Sequence, residues 1–187
     1  MTTYCEYTNT HPKDIFNCTY HDTQYGFPLD NDNALFERLV FEINQAGLSW
    51  ITILKKADNF REAYHGFDIN KIAAYEEADR LRLLSNPGII RNRLKINAAI
   101  ENARRIQSLR QQYGSFQGWL DANHPLPLDN WVQLFKKAFV FTGGEIVKEF
   151  LMSTGYFSGA HTPDCPIYEK ILEENPAWLR KQHDKHI

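Results

Sequence analysis

The sequence predicts an all-α protein, and three observations lead to this prediction. Apolar residues recur at helical spacing through nearly the whole chain, the alternation typical of strands does not extend over any useful length, and no repeat or low-complexity tract interrupts the pattern. Apolar residues make up 43% and charged residues 24% of the chain, which is typical of a globular protein. Because a chain of 187 residues can bury roughly 70% of its unfolded surface, we expect one domain over residues 1–187.

The first well-defined helix is predicted to begin close to residue 30. Asp30, Asp32 or Asn33 can cap its N-terminus, and Gly47 suits its C-terminal end. Its predicted buried face consists of five apolar residues at helical spacing: Leu35, Phe36, Leu39, Val40 and Ile43. Ser49 can start the next helix.

Further helices follow in the central part of the chain. The helix that starts at Ser49 is predicted to break near Asp58, and Asn70 is predicted to cap a short helix. Residues 78–85 form another helix, which stops at an Asn-Pro-Gly turn and is followed by a long amphipathic helix over 92–113. The chain therefore contains a helix, a tight turn and a second helix in succession.

The C-terminal third is predicted to contain two more core helices, over residues 131–141 and 144–153. A charged terminal helix is predicted over 168–185. The segment between them, residues 155–166, is predicted to be irregular, and such a segment suits a metal-binding loop.

Composition also limits the class of protein. No apolar run reaches the length of a membrane span and the first residues lack the pattern of a signal peptide, so we expect a cytoplasmic protein without a membrane partner. The formal net charge of −2 indicates that any DNA binding must come from a local basic patch and from backbone donors. Three cysteines in a reducing compartment favour metal ligation over disulfides.

Two cysteines and two histidines form the ligand set of a closed structural zinc site: Cys5, His21, His161 and Cys165. Such a site would join the N-terminal segment, about residues 1–25, to the C-terminal segment, about 155–187. Four protein ligands leave no position for an activated water, so we expect one structural Zn²⁺. Spacing alone leaves two alternatives open, namely Cys18 as a competing ligand, and four unconnected residues.

Six sequence segments resemble a known family. They are Tyr20-His21-Asp22, Tyr25-Gly26, Glu42 with Gln45 to Lys56 (QAGLSWITILKK), Gly88 to Arg93 (GIIRNR), Phe139 to Gly143, and Gly159-Ala160-His161 with Cys165-Pro166. Together they are similar, in the same order, to the 3-methyladenine DNA glycosylase I family. The resemblance implies the helix-hairpin-helix glycosylase fold, the same four zinc ligands, and hydrolytic release of 3-methyladenine from double-stranded DNA that carries alkylated adenine.

The resemblance also implies a pocket for the flipped base, built from Glu42, Tyr20, Trp50 and Tyr7. A methyl group on N3 makes adenine a cation, which aromatic rings and an ionised carboxylate attract, so Glu42, Tyr20 and Trp50 are the candidate catalytic residues. The residues alone also allow interpretations without a catalytic role, in which Glu42 lies on the solvated face of its helix and Trp50 lies in the core. Tyr7 and Tyr25 stand where the family has tryptophans, and Asn17 where an aromatic residue is often found.

Two loops are candidates for contact with DNA. Leu48 after Gly47 can wedge into the gap left by the flipped base, although a buried loop leucine is the alternative. The backbone of the Pro-Gly turn can bind a phosphate, and Thr142-Gly143-Gly144 is a weaker candidate for an anion site. The predicted contacts are Gly47, Leu48, Gly88, Ile89, Arg91 and Arg93, whereas Lys95 is expected on the solvated helix face.

Two other classes of function remain open at this level. One is a zinc-dependent hydrolase, in which one of the four ligands is a bystander and water completes the coordination. The other is a protein that binds damaged nucleic acid without cleaving it. We expect a monomer in each case.

Overall fold

The computed structural model describes residues 2–180, and this part of the chain is all helical. The prediction of an all-α protein is therefore confirmed. The helices are α1 (Tyr4–Thr10), α2 (Ile15–Thr23), α3 (Asp32–Gln45), α4 (Trp50–Leu54), α5 (Ala57–Ala63), α6 (Ile69–Ala73), α7 (Glu77–Ser85), α8 (Arg93–Tyr113), α9 (Phe116–Asn123), α10 (Leu128–Ala138), α11 (Gly144–Ser153) and α12 (Pro166–Glu173). Short 3-10 turns occur at His65–Phe67 and Ala177–Leu179.

The residue that caps helix α3 lies between two of the predicted caps, Asp30 and Asp32. Asn31 is the cap, because its Oδ1 accepts a hydrogen bond of 2.8 Å from the amide of Ala34. The carboxylate of Asp32 instead accepts a bond of 2.7 Å from Arg110 Nε and two more from amides that open α9. Asp32 therefore makes a tertiary contact, which its position in the sequence does not indicate. The other two candidates, Asp30 and Asn33, were also wrong.

The predicted break in the helix that starts after Ser49 is present, at residues 55–56, two residues before Asp58. The predicted cap of the next helix was wrong. Asp68 caps α6, since its Oδ1 accepts from the amides of Asn70 and Lys71, at 2.9 and 3.1 Å. Asn70 pairs through its side chain with Gln107 of α8. The predicted bounds of α7 and α8 agree with the structure to within one residue, and Asn92 is the cap of α8.

The ends of the chain differ most from the prediction. Helices α1 and α2 were not predicted, although a Thr3/Glu6 capping box and an Asp14 cap mark their starts. Helix α10 covers 128–138, and not 131–141 as predicted. The charged helix predicted over 168–185 ends at residue 173, because Pro176 follows and disfavours helix in the preceding residue. Residues 181–185 of that prediction lie outside the described residues.

The core lies around α3 and α8. Helix α8 contacts α6, α7, α9 and α3, and α3 contacts α11 and α4 as well. An aromatic cluster fills the space between α9, α10 and α11: Phe116, Trp119, Trp131, Phe135, Phe139 and Phe150. A second, small apolar cluster joins Cys5 of α1 to Cys165, Ile167 and Ile171. Within residues 2–180 there is no helix with the length and apolar character needed to cross a membrane.

Candidate functional site

Four side chains from the two ends of the chain meet in one buried group. Ligand atoms of Cys5, His21, His161 and Cys165 all lie within 4.8 Å of one another. The Nδ1 atom of His161 is 3.6 Å from Cys5 Sγ and 3.4 Å from Cys165 Sγ, and His21 Nε2 is 3.7 Å from Cys165 Sγ. This group could hold a metal ion, and we call it the CHHC cluster.

Each histidine of the CHHC cluster has one ring nitrogen free for a ligand. His161 Nε2 donates to the carbonyl oxygen of Tyr25 at 2.8 Å, and His21 Nδ1 pairs with Asp22 Oδ1 at 2.7 Å. These second contacts orient both rings and leave the lone pair of the other nitrogen pointing to the cysteines. Burial lowers the pKa of His161 to about 4, so its ring is neutral, as a metal ligand must be.

Cys18 is not part of the CHHC cluster. Its Sγ lies 3.5 Å from the carbonyl oxygen of His11 and 3.9 Å from that of Thr8, in the connection between α1 and α2. The competing ligand assignment is therefore not supported by the geometry.

A cavity of about 420 Å³ lies next to the CHHC cluster. Cys5 is a member of the cluster and also lines the cavity. Three predicted pocket residues line it, Tyr20 from α2, Glu42 from α3 and Trp50 from α4. The structure thus brings together three residues that come from three separate helices.

Glu42 is a buried acid without a partner. Its side chain is only 4% exposed, and within residues 2–180 it makes no hydrogen bond or ion pair with another side chain. The interpretation that Glu42 lies on a solvated face was therefore wrong. Burial raises the pKa of Glu42 to about 8; Arg38 opposes this shift and Glu149 adds to it. Arg38 itself donates to the carbonyl oxygen of Ser153 at 3.0 Å.

Two polar atoms beside Glu42 also have no partner. The rings of Tyr20 and Trp50 meet with centroids 5.0 Å apart at 61°. Tyr20 Oη and Trp50 Nε1 are buried and have no hydrogen-bond partner within residues 2–180. Because a buried polar atom costs free energy until it is paired, these atoms favour a ligand with both polar and aromatic character.

Tyr7, the fourth predicted pocket residue, does not line the cavity. Its hydroxyl donates to Asp14 Oδ2 at 2.9 Å, and its ring stacks on His11 with centroids 4.4 Å apart. Tyr4, almost one helical turn earlier on α1, lines the cavity instead. Because α1 was not predicted, the side of the helix that faces the cavity could not be deduced.

Sequence reasoning also missed Glu149 of α11 as a cavity residue. Tyr25, which was noted only as a departure from the family pattern, donates from its hydroxyl to Glu149 Oε2 at 3.1 Å, and both line the cavity. The one available signal was an acid among the apolar residues of α11, a pattern that also fits a solvated face.

The predicted DNA-contact residues lie in two exposed loops. Gly47 has a φ of +79°, which favours glycine, and it presents Leu48 with 40% of its side chain exposed, so the alternative of a buried Leu48 was wrong. In the α7–α8 turn, Ile89 is buried and the amide of Gly88 already donates to Asn86 Oδ1 at 2.8 Å, so neither of these two groups is free for DNA.

The three basic residues near the start of α8 differ in their surroundings. Arg91 is exposed, and Arg93 is exposed and lies 3.5 Å from Glu77. Lys95, expected on the solvated face, is buried, and its Nζ donates to the carbonyl oxygens of Asn44 at 2.8 Å and Ala46 at 2.7 Å. The prediction for Lys95 was wrong because the end of α3 packs over it.

The model of one protein family, described as methyladenine glycosylase, matches residues 10–130 of the chain. The chain belongs to the methyladenine glycosylase family. The matched residues include the three predicted pocket residues that line the cavity, Tyr20, Glu42 and Trp50, and one residue of the CHHC cluster, His21.

Relatives of this methyladenine glycosylase extend over most of its length. It is 35% identical over 175 residues to DNA-3-methyladenine glycosylase 1 of Escherichia coli. The alignment covers 83% of this chain and 93% of that protein. It is 34% identical to DNA-3-methyladenine glycosylase of Haemophilus influenzae, with 89% and 98% covered. The solved structure of 3-methyladenine DNA glycosylase I from Staphylococcus aureus superimposes with a TM-score of 0.77 at 34% identity, with 83% and 92% covered.

Proposed function

We propose that this protein is a DNA-3-methyladenine glycosylase, a hydrolase that removes 3-methyladenine from alkylated double-stranded DNA in base-excision repair. One observation carries the proposal: a buried, unpaired carboxyl group, Glu42, shares a cavity with two aromatic side chains, Tyr20 and Trp50, that each keep an unpaired polar atom. The names of the relatives support the same activity.

The cavity suits a flat cation better than a neutral base. Rings such as those of Tyr20 and Trp50 attract a cation by about 0.5–2 kcal/mol each when water is excluded. A cation beside Glu42 lowers the cost of its ionisation, so the carboxyl group loses its proton to solvent when the charged base enters. The ionised carboxylate then accepts a hydrogen bond from the exocyclic amino group. Normal adenine has no charge to offset the burial of Glu42.

The reaction needs no strong acid, because the methylated base is already a good leaving group. The bond between C1′ and N9 breaks with its electron pair left on the purine, which neutralises the ring, and water adds to C1′ with loss of a proton. Selectivity therefore comes from the pocket that accepts the flipped base, and the residues that carry it are Glu42, Tyr20 and Trp50.

We propose Zn²⁺ as the ion of the CHHC cluster. Zinc–sulfur bonds of about 2.3 Å and zinc–nitrogen bonds of about 2.0 Å in a tetrahedron place the ligand atoms about 3.3–3.8 Å apart. The nitrogen–sulfur distances of 3.4 to 3.7 Å fit this range. Zinc would supply a structural cross-link between the N-terminal helices and the loop before α12, and four buried protein ligands do not favour a zinc-dependent hydrolase.

We propose that DNA binds across the α7–α8 turn and the loop with Gly47 and Leu48. Helices α7 and α8 would form the helix-hairpin-helix element, Arg91 and Arg93 would meet phosphates, and Leu48 would fill the gap left by the flipped base. We propose a cytoplasmic enzyme that acts as a monomer.

Release of free 3-methyladenine from methylated duplex DNA tests the proposed activity. We expect release by the wild type, a loss of about tenfold or more with Glu42→Gln, and wild-type release with Glu145→Gln, a matched change of an exposed acid on α11. Abasic sites counted in the same DNA distinguish excision from binding alone. Binding to methylated DNA without free base or abasic sites would contradict the proposal and favour the binding protein.

A further inference from the structure

The proposed reaction produces a proton that a group near the sugar must accept. Water adds to C1′ and loses one proton, and C1′ carries positive charge while its bond to the purine breaks. A carboxylate beside C1′ can stabilise that charge and accept the proton from the water. The reaction therefore requires an acceptor besides the residues that hold the base.

The cavity wall contains two carboxyl groups, Glu42 of α3 and Glu149 of α11. No histidine is among the residues of the 2–180 range that line it, and burial raises the pKa of each of its tyrosines, so these phenols stay neutral. Cys5 belongs to the CHHC cluster. Because Glu42 is proposed to hold the amino group of the base, Glu149 is the remaining carboxyl group in this wall that can accept a proton.

The two carboxyl groups lie at different depths in the cavity. Glu42 is only 4% exposed, whereas Glu149 is half-buried. A flipped nucleotide inserts its base first, and its sugar stays near the mouth because the DNA backbone continues on both sides of it. This difference in depth puts Glu42 beside the base, and Glu149 on the side of the sugar and of the entering water.

Tyr25 holds Glu149 in a defined position. Its hydroxyl donates to Glu149 Oε2 at 3.1 Å, and Glu149 Oε1 has no donor within residues 2–180. The Tyr25 ring packs against Tyr20 and Tyr4, with centroids 5.7 and 5.3 Å away, and its carbonyl oxygen accepts a hydrogen bond from His161. Because the ring and the backbone of Tyr25 are both fixed, one oxygen of Glu149 is oriented and the other can accept from a water molecule.

The charged and titratable groups around Glu149 come from α11, from α3 and from the connection after α2. Lys148 and Glu145 share α11 with it, Glu42 lies in the same cavity wall, and Tyr25 donates to it. Burial raises the pKa of Glu149, while the hydrogen bond from Tyr25 and the charge of Lys148 oppose that shift. A raised pKa makes the carboxylate a stronger base, and a general base works best when its pKa is near the working pH.

We infer that Glu149, oriented by Tyr25, stabilises the positive charge at C1′ and receives the proton of the attacking water. The inference rests on the proposed glycosylase function. The C1′–N9 bond breaks with its electron pair left on the purine, the water oxygen bonds to C1′, and the proton of that water moves to Oε1 of Glu149, which later passes it to solvent. Glu149 is thus a catalytic residue, and Tyr25 is a positioning residue.

Single-turnover release of 3-methyladenine from methylated duplex DNA, with the enzyme in saturating excess, separates the chemical step from binding. Glu149→Gln should lower this rate about a hundredfold and change the affinity for the duplex by less than about threefold. Glu149 also raises the pKa of Glu42, so an effect through Glu42 would instead ease its ionisation and strengthen binding of the base. Glu173→Gln, which changes an exposed acid on α12, is the control and should behave as the wild type.

The same rates measured against pH, after subtraction of the base lost without enzyme, show which group titrates. The wild-type rate should fall at acidic pH as Glu149 takes up a proton, and Glu149→Gln should lack this fall. Tyr25→Phe removes the hydrogen bond that lowers the pKa of Glu149, so the fall should move to higher pH. A fall that persists unchanged in Glu149→Gln, or a wild type without one, would overturn the inference.

Formate offers a separate carboxylate that can replace the missing one. It should restore the rate of Glu149→Ala in proportion to its concentration and leave the wild-type rate unchanged, whereas chloride at the same ionic strength should restore neither variant. Thermal unfolding of each variant shows whether its fold is intact, and the wild-type pH profile tests the inference without any substitution.

The outcomes separate the inference from the proposed function. A single-turnover rate of Glu149→Gln within about threefold of the wild type, or a loss confined to duplex affinity, would overturn the inference and leave the proposed function intact. A wild type that releases no 3-methyladenine would overturn the proposed function and the inference with it.

Discussion

The ammonium nitrogen of Lys95 lies 2.8 Å from the carbonyl oxygen of Asn44, in the last turn of the helix that carries Glu42. The same nitrogen donates to Ala46, so one buried cation caps the C-terminus of α3 from the first turn of α8. Burial lowers the pKa of Lys95. This contact joins the proposed base pocket to the two loops proposed to bind DNA.

Lys95→Met should destabilise the protein, because the two carbonyl groups would lose their donor. We expect the free energy of unfolding to fall by about 1–3 kcal/mol in urea titrations. Lys71→Met, at an exposed position on α6, is the control and should change it by less than about 0.5 kcal/mol. A Lys95→Met variant as stable as the control would show that this cap does not stabilise the fold.

Glu42 should make stability depend on pH. Its pKa is about 8 in the folded protein against 4.5 ordinarily, so its contribution to stability is fully present below pH 4.5 and is lost as the pH rises through 8. The Glu42→Gln variant has no ionisable group at this position, so its stability does not fall in this way as the pH rises. The difference in unfolding free energy, variant minus wild type, should therefore grow between pH 5 and 8 by up to about 1.4 kcal/mol per pH unit. Urea titrations of both proteins at several pH values measure this difference, and parallel pH curves would contradict the burial of an unpaired acid.

Loss of the metal should lower the stability of the fold and should not act directly on the chemical step. Cys165→Ser should lose the ion by elemental analysis, whereas Cys18→Ser, outside the CHHC cluster, should retain one equivalent of zinc. With free zinc about a thousandfold above its Kd, binding contributes about 4 kcal/mol, so chelation should lower Tm by about 8–16 °C. Inactivation by chelators with unchanged Tm would instead favour a catalytic metal.

Leu48→Ala should weaken binding to damaged duplex about five- to thirty-fold, because the smaller side chain cannot fill the gap left by the base. Affinity for free 3-methyladenine should not change, since Leu48 does not line the cavity. Fluorescence anisotropy with duplex and a parallel titration with free base measure the two effects. Leu179→Ala, another exposed leucine, serves as the control, and equal losses for duplex and free base would argue against a wedge.

Arg91→Ala should reduce the salt dependence of DNA binding. Removal of one phosphate contact lowers the slope of log Kobs against log salt concentration by about 0.9. Titrations from 50 to 200 mM salt measure this slope for the wild type, for Arg91→Ala and for Lys170→Ala, an exposed position on α12. A slope equal to that of the wild type would show that Arg91 does not meet a phosphate.

The helical content and the bounds of α7, α8 and α11 could be predicted because they depend on neighbours three or four residues apart. Helix α8, predicted over 92–113 and observed over Arg93–Tyr113, is one example, and the end of α3 before Gly47 is another. Three pocket residues and the four residues of the CHHC cluster could also be named from the sequence, although their contacts join segments up to 156 residues apart. The chemistry of cysteine and histidine indicated the type of metal site, and the family resemblance supplied the pocket residues and the choice of Cys5 over Cys18.

Other features were decided by tertiary packing alone. The choice of Tyr4 over Tyr7 depends on how α1 is rotated against α2, and the burial of Lys95 depends on α3 ending over α8. The contact between Tyr25 and Glu149 joins residues 124 positions apart and does not depend on any local pattern. Sequence periodicity specifies which residues share one face of a helix, whereas the neighbour of that face is determined only when all the helices pack together.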